Sequence, residues 1–386
     1  MARLDQNRAS QSEYCGSLES AKKTAARKGF SVQKKQNADE NPGLGALYIN
    51  EMSNQTISLC MIAKNEEKFL EQCLNPVKEI IDEVIIVDTG STDKTKEIAE
   101  KFNAKVIDFK WIDDFSAARN ESIKHATKDW ILVIDADEII EKRDLDKIKD
   151  AISNADEFVG FQLEQRSYLN NFFEGAVKND SDFEPIKNYP FYIPNNLVRL
   201  FKNKIGISFK HRVHELVEDS INVKKLKYGK IDVVLHHFGS LKDSGLIGEK
   251  TEQYAKMILK QLEDEPESAR YNYQAAKMFL GRNDYNNALK YFEKTAKLNT
   301  NYKLVFSEIA KIYLEMNDKN RAVEYFKKSM KHAPENPSPA NNLAVVYMSI
   351  GKFKEAEKIL DEELKKHPGN EALKYNYGKV LENLGK

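Results

Sequence analysis

The chain has no excess of either charge: Lys plus Arg and Asp plus Glu stand at 60 each in 386 residues, a formal net charge of +0. That balance argues against the broad basic face by which nucleic-acid binders hold phosphate backbones. It argues equally against an acidic tail. Cysteine is scarce. Cys15, Cys60 and Cys73 are odd in number, scattered and without metal-ligand spacing. Neither a disulfide framework nor a zinc site is indicated, and a reduced, cytoplasmic protein is expected. Long apolar runs are missing too. None approaches the roughly 18 residues of a membrane span, and Met1 to Tyr14 lacks the apolar core of a secretory signal. The remainder, 41% apolar and 31% charged residues, is ordinary for a folded soluble chain, and its length sets two domains as the expectation.

Residues 1–53 carry few large apolar groups and mix Lys22-Lys23, Arg27-Lys28 and Lys34-Lys35 with Asn, Gln, Ser and Gly. Ser17 to Lys28 can form one exposed helix; the rest reads as a disordered or extra segment, a solvated tail rather than a docking arm. Order begins near residue 54 and a first domain extends to 243. Ile57 to Ile62 reads as a buried strand, followed by Ala63-Lys64-Asn65-Glu66-Glu67 and by Phe69, Leu70, Cys73, Leu74 and Val77 at helical spacing. Val84 to Val87 is a second strand. It breaks at Asp88-Thr89-Gly90-Ser91-Thr92-Asp93, where Gly90 permits a tight turn and Ser91, Thr92 or Asp93 can cap the next helix. Lys105 to Ile107 suggests a third strand and Phe115 to Ala126 a helix. Strands and helices alternate at spacings of roughly 20 to 25 residues, which indicates an α/β sheet with crossover helices.

Trp130-Ile131-Leu132-Val133-Ile134 is the most apolar of these strands and ends abruptly in Asp135-Ala136-Asp137-Glu138. An uninterrupted β-branched run fits a strand buried on both faces. Two carboxylates at its carboxyl end are costly unless something positive compensates them. Ligands of open α/β sheets bind just there, and hard oxygen ligands suit Mg²⁺ or Mn²⁺, which take one or two carboxylates plus the phosphates of a nucleotide. A helix-capping pair is the competing reading.

Phe158 to Tyr168 reads as a strand, Asn170 to Asn196 as a long irregular stretch, and Leu197-Val198-Arg199-Leu200-Phe201 as strand again. Phe172, Phe173, Tyr189, Phe191 and Tyr192 either form an acceptor platform or pin that stretch to the core. His211-Arg212-Val213-His214-Glu215 and His236-His237-Phe238-Gly239 follow.

From residue 244 to the end the pattern is helical and repetitive. Ala288, Ala322 and Ala356 recur with the 34-residue tetratricopeptide period. Ala276, Ala310, Ala344 and Gly378 keep the same register, as do Phe279, Tyr313 and Tyr347, and Phe292, Phe326 and Leu360. Pro334 and Pro368 close their repeats. Three repeats and a terminal helix from Glu371 to Leu384 are expected, stacked around one core with a concave groove.

Ile62-Ala63-Lys64-Asn65-Glu66-Glu67, the Val87-to-Asp93 block, Asp114-Phe115-Ser116-Ala117-Ala118-Arg119-Asn120 and Asp135-Ala136-Asp137-Glu138 occur in that order. The set resembles the signature blocks of family 2 glycosyltransferases with the GT-A fold. The third block resembles a bacterial subgroup with helical repeats after the catalytic domain, to which the sublancin-type peptide glycosyltransferases belong. The resemblance covers the chain from about residue 56 onward. It implies a metal-dependent, inverting hexosyltransferase that moves a sugar from a UDP-sugar donor, with Mg²⁺ or Mn²⁺ as cofactor. Asp137 would then be the more direct metal ligand and Asp135 would lie nearer the ribose or the metal. Asp88 would accept the N3–H of uracil, with Ala63, Asn65 and Glu66 completing the base pocket. A turn aspartate bonding its own backbone is the other reading of Asp88. Arg119 either reaches the nucleotide or its diphosphate, or pairs with Asp113 or Asp114. His214-Glu215 resembles a His-Glu pair of the subgroup; Glu215 would be the base, with His214 as the fallback. His237, in a shared His-x-Gly block, would be a further metal ligand or a core histidine.

The repeats suggest a peptide or protein acceptor modified on Ser, Thr or Cys. A cell-envelope saccharide or lipid-linked acceptor, or a non-catalytic repeat scaffold with a degenerate transferase domain, are the alternatives. A sugar-nucleotide pyrophosphorylase should show a Gly-rich basic loop after the first strand, and Ala63 to Glu67 is not one. No nucleic-acid partner is expected; which sugar and acceptor are used, and whether the chain oligomerises, are not encoded in these motifs.

Overall fold

The computed structural model describes residues 55–172, 175–239, 247–300 and 302–386, with the backbone alone at 30–33, 48–51 and 247–251. The helix expected at Ser17 to Lys28, Cys15 and Phe173 lie outside the described residues. Within the segment expected to be disordered, β1 (Phe30–Gln33) and β2 (Tyr48–Glu51) pair antiparallel. By their contacts the residues divide into two compact units, Met1–Ile112 with Ser116–Lys210 and Glu215–Lys242, and Asp113–Phe115 with His211–His214 and Asp243–Lys386.

The first unit is built on a nine-stranded mixed sheet. Its strands are β3 (Ile57–Ala63), β4 (Glu83–Asp88), β5 (Lys105–Asp108), β6 (Trp130–Val133), β7 (Glu138–Ile140), β8 (Phe158–Leu169), β9 (Val177–Lys178), β10 (Phe191–Lys202) and β11 (Lys227–His237). They lie in the order β5-β4-β3-β6-β10-β8-β11-β7, with β9 beside β10. The β5-β4-β3-β6 half is parallel, so β3, β4 and β6 all finish at one edge. β10 runs antiparallel between β6 and β8. It begins at Phe191, six residues before the strand expected at Leu197, because Phe191 to Asn196 pair with Glu164 to Leu169.

Alternation sorts each strand between two cores. Leu59, Met61, Ile86 and Leu132 face one side, with Leu70 and Leu74 of α1 (Leu70–Val77) and Ile148 of α4 (Leu145–Ser153). Cys60, Ile85, Ile131 and Val133 face the other, with Ile221 of α5 (Glu218–Val223). Burial on both faces is why β6 reads as one apolar run. Two further helices belong to the crossovers, α2 (Thr95–Lys101) and α3 (Phe115–His125).

The second unit is a helical stack: α6 (Ile247–Asp264), α7 (Ala269–Gly281), α8 (Tyr285–Leu298), α9 (Val305–Glu315), α10 (Lys319–His332), α11 (Ser338–Ser349), α12 (Phe353–Lys366) and α13 (Glu371–Leu384). Ala276, Ala288, Ala310, Ala322, Ala344 and Ala356 are all fully buried, with Phe292, Phe326 and Leu360 filling the spaces between helices. The register position at Gly378 differs: it is exposed, so the repeat pattern continues there without its packing.

Candidate active site

β3, β4 and β6 bring the predicted site residues to one edge of the sheet. Beyond Ala63 the loop is stapled to the loop after β4 rather than left open. Asn65 adopts the left-handed conformation (φ 56°); its N–H donates to Ser91 Oγ (3.0 Å) and its Oδ1 accepts from Thr92 N (2.8 Å). The Glu66 amide donates to Thr95 Oγ1 (2.7 Å), and Ala63 O accepts from Thr89 N (3.0 Å). The side-chain oxygen of Asn65 is therefore taken by Thr92 and serves to join the two loops. At the start of α2 the acceptor is Asp93, bonded by Thr95 N (3.0 Å), and neither Ser91 nor Thr92.

Asp88 makes the turn bonds of one of its two readings and keeps its second oxygen apart from them. Oδ2 accepts from Gly90 N (3.1 Å) and Ser91 N (2.9 Å), the turn bonds of an aspartate closing its own loop. Lys96 Nζ stands 3.5 Å from the same oxygen. Oδ1 is buried without any hydrogen-bond partner. An orphaned buried acceptor is a costly feature, and a ligand N–H would satisfy it.

Past Val133 lies a chain of alternating charges. Arg119 on α3 places Nη1 2.8 Å from Asp135 Oδ1 and donates from Nε to Glu215 Oε1 (2.6 Å). Arg199 on β10 places Nη2 3.3 Å from Asp135 Oδ2 and 3.4 Å from Glu138 Oε1. The Arg119–Asp135 contact is close but misaligned for a hydrogen bond, which leaves those two atoms and Arg199 Nε as buried groups with no directional partner. Burial alone would raise the Asp135 carboxyl, but Arg119 and then Arg199 outweigh it and hold it well below the usual carboxylate range. Burial pushes the fully enclosed Glu138 up, against Arg199. Glu138 is nonetheless bonded by Asp135 N (2.8 Å) and by Gln165 Nε2.

These contacts revise two expectations. The surroundings of Asp135 do not match a metal ligand, since both of its oxygens face guanidinium groups that a divalent cation would have to displace. Arg119 is buried and turned to Asp135 and Glu215, not to Asp113 or Asp114; Asp114 faces Arg212 instead (3.4 Å). Glu215 is bonded through Oε1 alone, and among the described residues no partner holds Oε2.

Asp137 turns to His237, with Oδ2 and Nε2 3.7 Å apart. Two donors each about 2.1 Å from a shared ion stand about 3.0–4.2 Å apart, so the pair fits a divalent cation. Ser167 Oγ lies 3.0 Å from His237 Nδ1. A tautomer donating from Nδ1 to that hydroxyl leaves Nε2 as the ligand atom. A Cβ on Gly239 would collide with His237 Nε2 and stand 3.0 Å from Asp137 Oδ2, so the space beside the pair exists because residue 239 has no side chain. Among the described residues no cluster of three His, Cys, Asp or Glu surrounds one point. The remaining positions of such an ion would fall to water and phosphate oxygens. The histidine with a core role is His236, buried and stacked on Tyr168, whose hydroxyl is 2.6 Å from Nδ1.

The fallback base, His214, immediately precedes Glu215 in the chain. It lies in the helical unit at φ 54°, its carbonyl accepting from Arg270 (2.6 Å), beside a cavity of about 710 Å³ lined by Tyr273, Lys277 and Tyr302. The aromatic platform is reduced. Tyr189 and Tyr192 pack on Tyr168 as core, while Phe172 stays exposed with Phe191 edge-on to it at 5.6 Å. Arg199 was not singled out from the sequence, yet a lone cation inside Leu197 to Phe201 is a signal in itself, because a buried charge requires a partner.

Residues 58–213 match the model of Glycosyl transferase family 2, and residues 281–363 match that of Anaphase-promoting complex, cyclosome, subunit 3. The chain is 38% identical over 165 residues to a TPR repeat-containing protein of Synechococcus elongatus, covering 43% of this chain and 36% of that one. It is 32% identical over 179 residues to an uncharacterized glycosyltransferase of Rickettsia conorii, 46% of this chain and 58% of the relative. To the SPbeta prophage-derived glycosyltransferase SunS of Bacillus subtilis it is 29% identical over 231 residues, 59% and 49% of the two chains. It thus spans less than two thirds of the length of each of these relatives. Among solved structures, that of MamA aligns at 16% identity and TM-score 0.33, over 36% of this chain and 81% of that one.

Proposed function

We propose, from the premise that this chain carries a family 2 glycosyl transferase domain followed by tetratricopeptide-type repeats, that it is a metal-dependent inverting transferase of a UDP-sugar. The observation that carries the reading is one sheet edge holding two complementary features. Asp137 and His237 meet there beside Gly239, and Asp88 keeps a buried oxygen unpaired. Asp88 Oδ1 would accept the N3–H of uracil while Oδ2 holds the turn that shapes the base pocket. Asp137 and His237 would hold Mg²⁺ or Mn²⁺, which supplies neutralisation of charge on the leaving diphosphate. Glu215 would take the acceptor proton on Oε2, with Oε1 anchored by Arg119.

For the acceptor we favour a Ser, Thr or Cys side chain of a peptide or protein, on the strength of the repeat unit, since stacked repeats offer extended surface to a chain segment. Incubation with UDP-glucose and Mn²⁺ or Mg²⁺ should release UDP slowly. Asp137→Ala should lower that rate by about 100-fold or more, since removing even a residue behind a ligand costs about 10- to 100-fold. Failure to bind UDP or UDP-sugars with any divalent metal would refute the proposal. Mass spectrometry of peptides incubated with a panel of UDP-sugars would identify the acceptor atom.

A further inference from the structure

We infer that Arg199 is a positioning residue that acts on Glu215 through Asp135 and Arg119. The inference rests on the proposed role of Glu215. Five side chains of the sheet unit alternate in sign: Glu138, Arg199, Asp135, Arg119 and Glu215. Their successive contacts are 3.4, 3.3, 2.8 and 2.6 Å. Both arginine side chains are 7% exposed and Glu138 is 0% exposed. Water therefore screens these contacts weakly, and each charge is strongly dependent on its neighbours for position.

The two ends of this chain differ in freedom. Glu138 is fixed by three donors, Asp135 N, Gln165 Nε2 and Arg199 Nη2. Among the described residues Glu215 has one, Arg119 Nε. Arg119 in turn sits over the ring of Phe209 at 5.4 Å, and among the described residues it spends its charge on Asp135 and Glu215. The location of the Glu215 carboxylate is thus inherited from Arg119, and that of Arg119 from Asp135. Asp135 would be drawn wholly onto Arg119 if Arg199 did not pull its other oxygen toward β10. Arg199 reaches Asp135 and Glu138 through one terminal nitrogen, Nη2; a lysine ammonium ends one bond short of that position and cannot hold both contacts at the same distances. Asp135 on this account is neither metal ligand nor base. It is the joint between the fixed and the free end.

The test is a double-mutant cycle on Mn²⁺-dependent UDP-glucose hydrolysis between Arg199→Lys and Glu215→Gln. Lysine keeps the buried charge and so protects folding, which the thermal midpoint checks. Arg199→Lys should lower kcat about 10- to 100-fold, as small misplacements of a reacting group do, with KM for the donor within about threefold. In the Glu215→Gln background the same change should cost less than about threefold, because the group it positions is gone. An equal loss in both backgrounds, or a loss carried by KM, overturns the inference. A readout independent of turnover is the Nε–H resonance of Arg119 in ¹⁵N-arginine-labelled protein, assigned by its absence from Arg119→Lys. It should move in Arg199→Lys; an unmoved signal overturns the inference. A wild-type chain that hydrolyses no UDP-sugar would sink the proposed function, and the resonance would still decide the coupling.

Discussion

The two oxygens of Asp88 sit in different surroundings. One oxygen closes the Gly90–Ser91 turn and the other is buried with nothing to accept from. Asp88→Asn separates the turn bonds from the proposed base contact. The amide oxygen can keep the turn bonds, while the NH₂ group presents a donor where a base N–H would come. UDP affinity with Mn²⁺, read by calorimetry, should fall about tenfold or more, the worth of a hydrogen bond to a charged group, with little change in thermal midpoint. An unchanged affinity would remove Asp88 from base recognition. Glu83 is a carboxylate of a different kind. It accepts from Ser58 Oγ (2.5 Å), Thr127 N (2.8 Å) and Thr127 Oγ1 (3.0 Å), tying the starts of two strands to the turn before a third. Burial would raise its pKa, but these hydrogen bonds outweigh it and lower the carboxyl below its ordinary value. The unfolded chain therefore binds the proton more readily. The stabilisation is complete above the unfolded value of about 4.3 and is lost as pH falls through the folded one. Glu83→Gln should be less stable than wild type at pH 7, and the gap in urea midpoints should close below about pH 4.

At the scale of the element, the repeats share a start signal that one of them lacks. Asp284 and Asp318 cap α8 and α10, accepting from Asn287 N (3.1 Å) and Arg321 N (3.0 Å). Lys352 occupies the same place before α12, with φ −89° and ψ 60° against −84° and 77° for Asp284, and makes no side-chain cap. The residue before each is left-handed: Asn283 at 58°, Asn317 at 60° and Gly351 at 74°. The backbone is thus already arranged for a cap. Lys352→Asp should stabilise the helical unit by about 1 kcal/mol, a typical capping gain, raising its denaturation midpoint; a midpoint that falls or stays would show that local charge outweighs the cap. Element identity was largely legible along the chain. The strands at Ile57, Val84, Lys105 and Trp130 and the helix at Phe115 stand where periodicity puts them. The start of β10 was not, because Phe191 to Asn196 carry no alternation and owe their extended form to pairing with β8.

For the molecule as a whole, each unit has buried clusters of its own among the described residues. Phe326, fully enclosed in the stack, tests their independence. Phe326→Ala should cost about 3–5 kcal/mol and lower the helical unfolding midpoint by circular dichroism, while UDP affinity stays within error. A parallel loss of affinity would mean that the units are energetically one. No described helix is long and apolar enough to cross a membrane. The sequence by itself determined the fold class, the repeat period and the strand-end acids, since all three depend on local spacing of apolar and turn residues. Which partners each acid meets was decided only in three dimensions. Asp135 and Asp137 are separated by one residue, yet one turns to two arginines from α3 and β10 and the other to a histidine at the end of β11. Spacing along a chain specifies which face a residue takes; its electrostatic partners come from strands far away in sequence, and only folding brings them together.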